Sequence, residues 1–331
     1  MTDTALSPRP RRIFLLGATG TIGRATLDAL LARGHEVVCF LRPRAGDDPG
    51  RGLPGAARVR VGDVTDPASL AADGFRGERF DALVSCLASR TGTPRDAWAI
   101  DHEAHSHALA AARAAGADQA VLLSAICVQK PLLAFQKAKL AFEAELMASG
   151  LTWSIVRPTA FFKSLSGQVE RVRAGKPFLV FGDGRLTACK PISDADLGRF
   201  MALCLDDPGL QNRVLPIGGP GPAITPRDQA EELFRLLGRP PKIKQVPVGV
   251  MDGIVALLSA LGRVSPKLRD KAEFARIGRY YGTESMLLLD PETGRYDADA
   301  TPEYGSDRLF DYYARLVSGA ERAELGAHAA F

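Results

Sequence analysis

The stretch Ile13-Phe14-Leu15-Leu16-Gly17-Ala18-Thr19-Gly20-Thr21-Ile22-Gly23 decides the fold. Its four leading apolar residues read as a strand buried on both faces. From Ile22 to Leu31, the residues Ile22, Leu27, Leu30 and Leu31 recur at helical spacing, and Gly34 is a stop signal. Val37 to Leu41 is the next apolar run, so the unit is β-α-β with a tight first turn. Glycines at 17, 20 and 23 serve a sharp turn, close approach of a pyrophosphate to backbone amides, and close packing of helix on strand. The helix N-terminus then carries the phosphate charge. Residues 17–23 are therefore expected to bind an adenine dinucleotide.

The same rhythm continues outward. Val59 to Val61, Leu83-Val84, Val121 to Leu123 and Trp153 to Val156 are short apolar runs. Helix-length segments separate them, among them one from about Trp98 to Ala115 and one from about Ala134 to Ser149. Unbroken apolar strands alternating with helices require a parallel sheet covered on both faces. The expected class is α/β: a doubly wound parallel-sheet Rossmann fold with a smaller C-terminal substrate-binding lobe. Residues 11–165 form the expected cofactor core and 166–331 the remainder, with the chain returning to the core around 190–240.

Beyond Arg157-Pro158 the regularity loosens. Phe178 to Phe181 reads as a strand, a helix opens near Ser193 or Asp194 and runs to about Leu205, and Arg213 to Ile217 reads as another strand. Thr225 with Pro226 starts a helix ending at Gly238. Val248 to Leu261 is almost uncharged, and all six tyrosines fall between Tyr280 and Tyr313.

Bulk properties exclude several function classes. A net charge of +4, from 42 basic and 38 acidic residues, is too mild for a nucleic-acid footprint. Cys39, Cys86, Cys127, Cys189 and Cys204 contain no CxxC, so neither a disulfide framework nor a cysteine metal site is expected. His102, His105 and His107 lack the acidic partner spacing of a zinc hydrolase, and no metal is expected. Met1 to Arg12 has no apolar stretch, and no run reaches the roughly 20 residues of a membrane helix. The expectation is a cytoplasmic protein, its oligomeric state left open.

The second strand ends Phe40-Leu41-Arg42-Pro43-Arg44, where a protein built for NADH would place Asp or Glu. Arg42 and Arg44 suit a 2′-phosphate, so NADPH is expected. Asp63, in Gly62-Asp63-Val64 at the end of the third strand, is placed to accept from the adenine amino group. Cys86, Leu87, Ala88 and Ser89 follow the fourth strand and are expected on the nicotinamide side. Pro158, Thr159 and Phe161 are expected to close over the ring.

The glycine turn, Gly62-Asp63-Val64, Ser124 after the fifth strand and Arg157-Pro158-Thr159 resemble the short-chain dehydrogenase/reductases. That resemblance implies a Ser, a Tyr and a Lys four residues beyond the Tyr. The matching stretch here is Phe135-Gln136-Lys137-Ala138-Lys139: the lysine is kept as Lys139, and a phenylalanine stands where the acid belongs. Phenylalanine donates no proton, so alcohol/ketone exchange is not supported. Lys139 is expected to bind the nicotinamide ribose or to protonate a carbanion, directly or through water, while Lys137 faces elsewhere. Ser124 either supports the cofactor or an ordered water, or merely ends its strand.

A narrower resemblance rests on Leu133 to Leu146, on Trp153 to Ser164, on Lys190-Pro191-Ile192-Ser193-Asp194-Ala195-Asp196 and on the tail Ala300 to Tyr313. From about residue 11 to the end the chain is similar to the NADPH-dependent 8-vinyl reductases of divinyl chlorophyllide. Without a chloroplast-type leader before Arg11, the resemblance is to a bacterial member. It implies a tetrapyrrole substrate whose C8 vinyl group becomes ethyl. The negative charge left by hydride attack spreads over the macrocycle, which lessens the need for a tyrosine acid.

A flat substrate needs a wide apolar pocket, which Val248 to Leu261 and the aromatic tail are expected to furnish, with Lys163 or Lys176 meeting a propionate. The alternative use of that segment is contact with a membrane surface. Two rivals stay open: another NADPH-dependent reductase or epimerase with a small polar pocket, and a non-catalytic NADP(H)-binding sensor or assembly protein.

Overall fold

The computed structural model describes residues 9–43, 48–263 and 265–321. The deciding stretch forms β1 (Arg12–Leu16) and α1 (Thr21–Ala32). Successive side chains of a strand point to opposite faces. Accordingly Ile13 and Leu15 enter one core cluster while Phe14 and Leu16 enter another. All four are at most 1% exposed, which is what a sheet covered on both sides demands.

The alternation then runs through β2 (Glu36–Leu41), β3 (Arg58–Val61) and β4 (Ala82–Ser85). A helical run begins at Pro94, passes through a π-helical stretch Trp98–Glu103 and continues as α2 (Ala104–Ala114). Next come β5 (Gln119–Leu123), α3 (Ala134–Met147) and β6 (Thr152–Pro158). After β7 (Phe178–Phe181), α4 (Asp194–Asp206) and β8 (Arg213–Ile217) return to the sheet. The strand order is β3-β2-β1-β4-β5-β6-β8, and every pairing is parallel. The order reverses between β1 and β4, and a parallel α/β sheet binds its ligand outside the strand ends at such a point.

Helices α1 and α4 cover one face through Leu27, Leu30, Leu197 and Met201. On the other face α2 and α3 contribute Ala108, Leu109, Phe142 and Leu146. Fully burying a side chain of this size is worth about 1.5–3 kcal/mol, so these layers hold the sheet rigid. Gly198 lets α4 lie against α1, since a Cβ there would stand 2.5 Å from the Ala25 carbonyl carbon.

The larger elements that follow are α5 (Pro226–Leu236), β9 (Ile243–Val246), α6 (Val248–Leu261), α7 (Pro266–Thr283) and α8 (Leu309–Ser318). Strand β9 pairs in parallel with β7, outside the main sheet. Thr225 and Asp228 form a reciprocal capping box at α5, as the Thr225-Pro226 signal implies. Phe310 and Tyr312, with the fully buried Tyr313, pack here with Phe162, Leu233 and Phe234, and the Tyr313 hydroxyl donates to the Leu165 carbonyl at 2.6 Å. For Phe310, Tyr312 and Tyr313 this corrects the expectation that the aromatic tail lines a substrate pocket: these three rings pack in the lobe core. The segment before α8 is tied to α4, where the buried Asp196 carboxylate accepts from the amides of Ser306 and Asp307 at 3.2 and 3.0 Å.

Gly198→Leu is expected to lower the unfolding free energy by at least about 1–3 kcal/mol through overpacking. Urea denaturation should show an earlier midpoint at an unchanged slope.

Candidate cofactor and active site

At the phosphate end, Gly17 has φ +79° and abuts the β4 loop, so that a Cβ would stand 2.5 Å from the Cys86 carbonyl carbon. A Cβ on Gly23 would meet the Gly17 carbonyl oxygen at 2.0 Å. Between them Thr19 and Gly20 are exposed, while Ala18 and Ile22 are buried and anchor the turn. Helix α1 has neither a side-chain cap nor an acidic residue in its first turn. Its free amides and positive dipole end are a fit for a pyrophosphate. The Lys163 ammonium donates to Thr21 Oγ1 at 2.8 Å, beside the same amides. Lys163 is thus held at the N-terminus of α1, and Lys176 lies exposed on the surface.

At the adenosine end, Arg42 is exposed just beyond β2, and Arg44 lies outside the described residues. Asp63 Oδ1 accepts from the Thr65 amide at 2.9 Å and from its hydroxyl at 2.7 Å. Those bonds, with the Arg42 charge beyond them, hold the Asp63 carboxyl below its ordinary value. It is an ionised acceptor beside a cationic loop. Val64 is buried behind it.

The residues expected at the nicotinamide end sit on α3. Phe135, Lys139 and Glu143 recur every four residues and therefore share one helix face. All three are buried, and Lys137 is exposed. The Lys139 ammonium is paired at 3.0 Å with Asp101 of the π-helical stretch. Asp101 Oδ1 also accepts from the Ser89 amide at 3.2 Å, so the loop after β4 is tied to the same carboxylate. Ser124 donates to Glu143, which is also held by Arg157. The Ser124 proton is thereby committed to a buried carboxylate.

Other expected positions form the walls. Leu87 is half-buried and Ala88 exposed in the loop after β4. The Cys86 thiol donates to Thr26 Oγ1 at 3.5 Å, and burial pushes it up to about 12, so it stays protonated. Pro158 ends β6, Thr159 donates to the Lys190 carbonyl, and Phe161 bridges to Ile192. His105, unassigned from sequence, braces this end. Its Nδ1 faces the Ile100 carbonyl at 2.8 Å and must donate, which leaves Nε2 to accept from Ser85 Oγ at 2.8 Å. Burial first, and the Lys139 charge second, pushes His105 down to about 4.

The C-terminal lobe docks beside α3. Tyr280 donates to the carbonyls of Cys127 and Lys130 at 2.9 and 3.2 Å, and Glu273 Oε1 accepts from the Ala134 amide at 3.2 Å. The almost uncharged segment is α6, none of whose residues is buried. Val250, Ile254, Leu257 and Leu261 form an exposed stripe, and its one charge, Asp252, pairs with Arg279. Between α6, α7 and the loop after β4 lies an open cavity of about 440 Å³ whose lining includes Thr91, Thr93, Leu258, Asp270, Lys271 and Phe274. Gly92, in the middle of that loop, sits over Phe135 and Ile277 and so joins the cavity wall to α3.

Fold and glycine turn together define a dinucleotide-binding α/β protein, and a family model described as NAD(P)H-binding matches residues 17–208. An NADPH-dependent quinone oxidoreductase of Escherichia coli, solved with NADPH, superposes with a TM-score of 0.66 at 19% identity, covering 92% of this chain and 99% of its own. A "divinyl chlorophyllide a 8-vinyl-reductase, chloroplastic" of Oryza sativa subsp. indica is 52% identical over 99% of this chain and 84% of its own length. The protein of that name from Zea mays is 51% identical over the same shares. The chain belongs to the divinyl chlorophyllide a 8-vinyl-reductase family, oxidoreductases that act on a carbon–carbon double bond. Both plant relatives are chloroplast proteins by name, against which the cytoplasmic expectation does not stand.

His105 gives this site a pH signature. Its folded value, about 4, lies below the ordinary 6.5 of an unfolded histidine. As pH falls below 6.5 the unfolded chain takes up a proton that the folded chain refuses, so this contribution to stability is lost between about 6.5 and 4. In His105→Gln the stability difference between pH 7 and pH 5, read by urea denaturation, should shrink.

Proposed function

We propose that this chain reduces the C8 vinyl group of a 3,8-divinyl chlorophyllide or protochlorophyllide to ethyl, with NADPH as the reductant. The observation that supports the reading is on α3: Lys139 is buried, and one turn before it the buried Phe135 supplies no hydroxyl acid. A reaction that generates an alkoxide needs such an acid. Hydride addition to a vinyl group conjugated with a macrocycle instead leaves a carbanion whose charge the ring spreads, and a lysine or water can protonate it. The cofactor supplies the hydride. One proton added to the other vinyl carbon completes the balance, giving ethyl and NADP⁺.

The chain's own residues divide the remaining work. The α1 amides and Lys163 meet the pyrophosphate, and Arg42 meets the 2′-phosphate. Lys139 holds the nicotinamide ribose and stands as proton donor, with Cys86 to Ser89 on one side of the ring and Pro158 to Phe161 on the other. Residues 166–331 supply the substrate lobe, and the cavity beside α6 and α7 supports an apolar macrocycle, with Lys271 at its wall for a propionate. The same exposed stripe on α6 supports peripheral contact with a membrane. An open apolar cavity favours this reading over a small polar pocket.

Incubation of the purified protein with NADPH and divinyl chlorophyllide should shift the Soret band by a few nanometres and yield the ethyl product by chromatography. An unchanged spectrum in the presence and absence of air ends the reading. Arg42→Ala should raise the Kd for NADPH far more than that for NADH, and equal effects remove the 2′-phosphate assignment. Lys139→Ala should lower kcat by about 10²-fold or more.

A further inference from the structure

We propose that Tyr281, on α7, supplies the hydroxyl that Phe135 lacks and is the group that hands the proton to the vinyl carbon. Resting on the vinyl reduction proposed for this site, the assignment leaves Lys139 to the cofactor and takes the proton from the phenol of the C-terminal lobe.

The placement of Tyr281 is the first support. Its hydroxyl stands 4.0 Å from the thiol of Cys127, in the turn Ile126–Gln129 that follows β5. That turn adjoins α3: Cys127, Phe135, Ile277 and Tyr280 pack in one cluster, and the Lys139 charge acts on the Cys127 thiol. A Cβ on Gly92 would meet Ile277 at 3.0 Å and Phe135 at 3.5 Å, so those two side chains lie side by side. Ile277 and Tyr281 are one helical turn apart, and the face of α7 that meets this cluster therefore also carries the phenol. Phe274, which lines the open cavity, lies on that face too, seven residues or roughly 10 Å before Tyr281. Phe274 and Tyr281 are 42% and 44% exposed, so two aromatic rings lie open to a ligand in a row that leads from the cavity to the start of α3. A flat macrocycle seated against Phe274 extends toward the Tyr281 phenol.

The chemistry is the second support. Neighbouring hydroxyls are already spent: Ser124 donates to Glu143, Ser85 to His105, and Tyr280 to two carbonyls. Tyr281 meets a thiol, a weak acceptor, so its proton is free to be given elsewhere. Burial of the hydroxyl end, with the Cys127 thiol beside it, holds the phenol well above its ordinary value and keeps it protonated at neutral pH. In the reaction the vinyl group receives a hydride at one carbon, and its π pair moves onto the other carbon and into the macrocycle. That second carbon takes the Tyr281 proton: a C–H bond forms, the O–H bond breaks, and a phenolate remains. The carbanion is the stronger base of the two, which drives the transfer. Water reaches the exposed side of the ring and returns the proton, restoring the phenol.

Tyr281→Phe removes a single oxygen atom. In the purified full chain it should lower the single-turnover rate of divinyl chlorophyllide reduction by about 10²-fold or more and leave the Kd for NADPH, read by fluorescence titration, unchanged. A rate loss matched by an equal loss of NADPH affinity overturns the proposal. A second variant carries difluorotyrosine at position 281, which keeps the hydroxyl on a more acidic phenol. Because a donor has to be protonated, the alkaline fall in its rate should begin at a lower pH than in the wild type, and an unmoved pH profile overturns the assignment. Wild-type protein that leaves divinyl chlorophyllide unreduced ends the reading of the reaction and the donor with it. Wild-type protein that reduces it no faster than Tyr281→Phe ends the donor alone.

Discussion

Between β1 and β4 the chain is packed so closely that two glycine positions have no room for a Cβ. Gly17 touches the backbone of Cys86, and Gly23 touches the carbonyl of Gly17. This contact fixes how α1 leaves β1, how its free amides face the end of the sheet, and where the loop after β4 begins. The cofactor site is a consequence of that packing: the same small residues that allow strand and helix to meet also leave backbone amides bare.

Helix α3 does for the chemistry what this turn does for the phosphates. Lys139 and Glu143 are one turn apart and could have paired with each other as neighbours on one face. Instead each takes a separate partner from another element, Asp101 for the lysine and Ser124 with Arg157 for the glutamate. Two buried carboxylates thus hold apart two roles, one bracing the strand ends and one holding the ammonium. Burial makes both arrangements demanding, because an unpaired charge in either place would be costly. His105, kept neutral by the same burial, braces the loop without adding a charge.

The C-terminal half splits into two physical situations. Around α5 and α8 the aromatic residues are core, and Tyr313 is fully buried with its hydroxyl satisfied. Around α6, Val250, Ile254, Leu257 and Leu261 stay exposed, and Leu258 lines an open cavity shared with α7 and the loop after β4. The more apolar helix, α6, is the exposed one, so hydrophobicity by itself did not mark which helices form the lobe core.

The sequence by itself determined the parallel sheet, the glycine turn, Arg42 at the end of β2, and Phe135 with Lys139 on one face of α3. These are local patterns, written in runs of neighbours and in the periods of strand and helix, and the chain geometry carries them directly into structure. Only the tertiary structure decided that Asp101 meets Lys139, that Lys163 reaches Thr21, that Ser124 is spent on Glu143, and that Tyr312 and Tyr313 are interior. Each of those facts joins residues far apart in the chain or buries a side chain under another element. No local period encodes such a meeting, because which distant surfaces touch is set by how the finished layers pack.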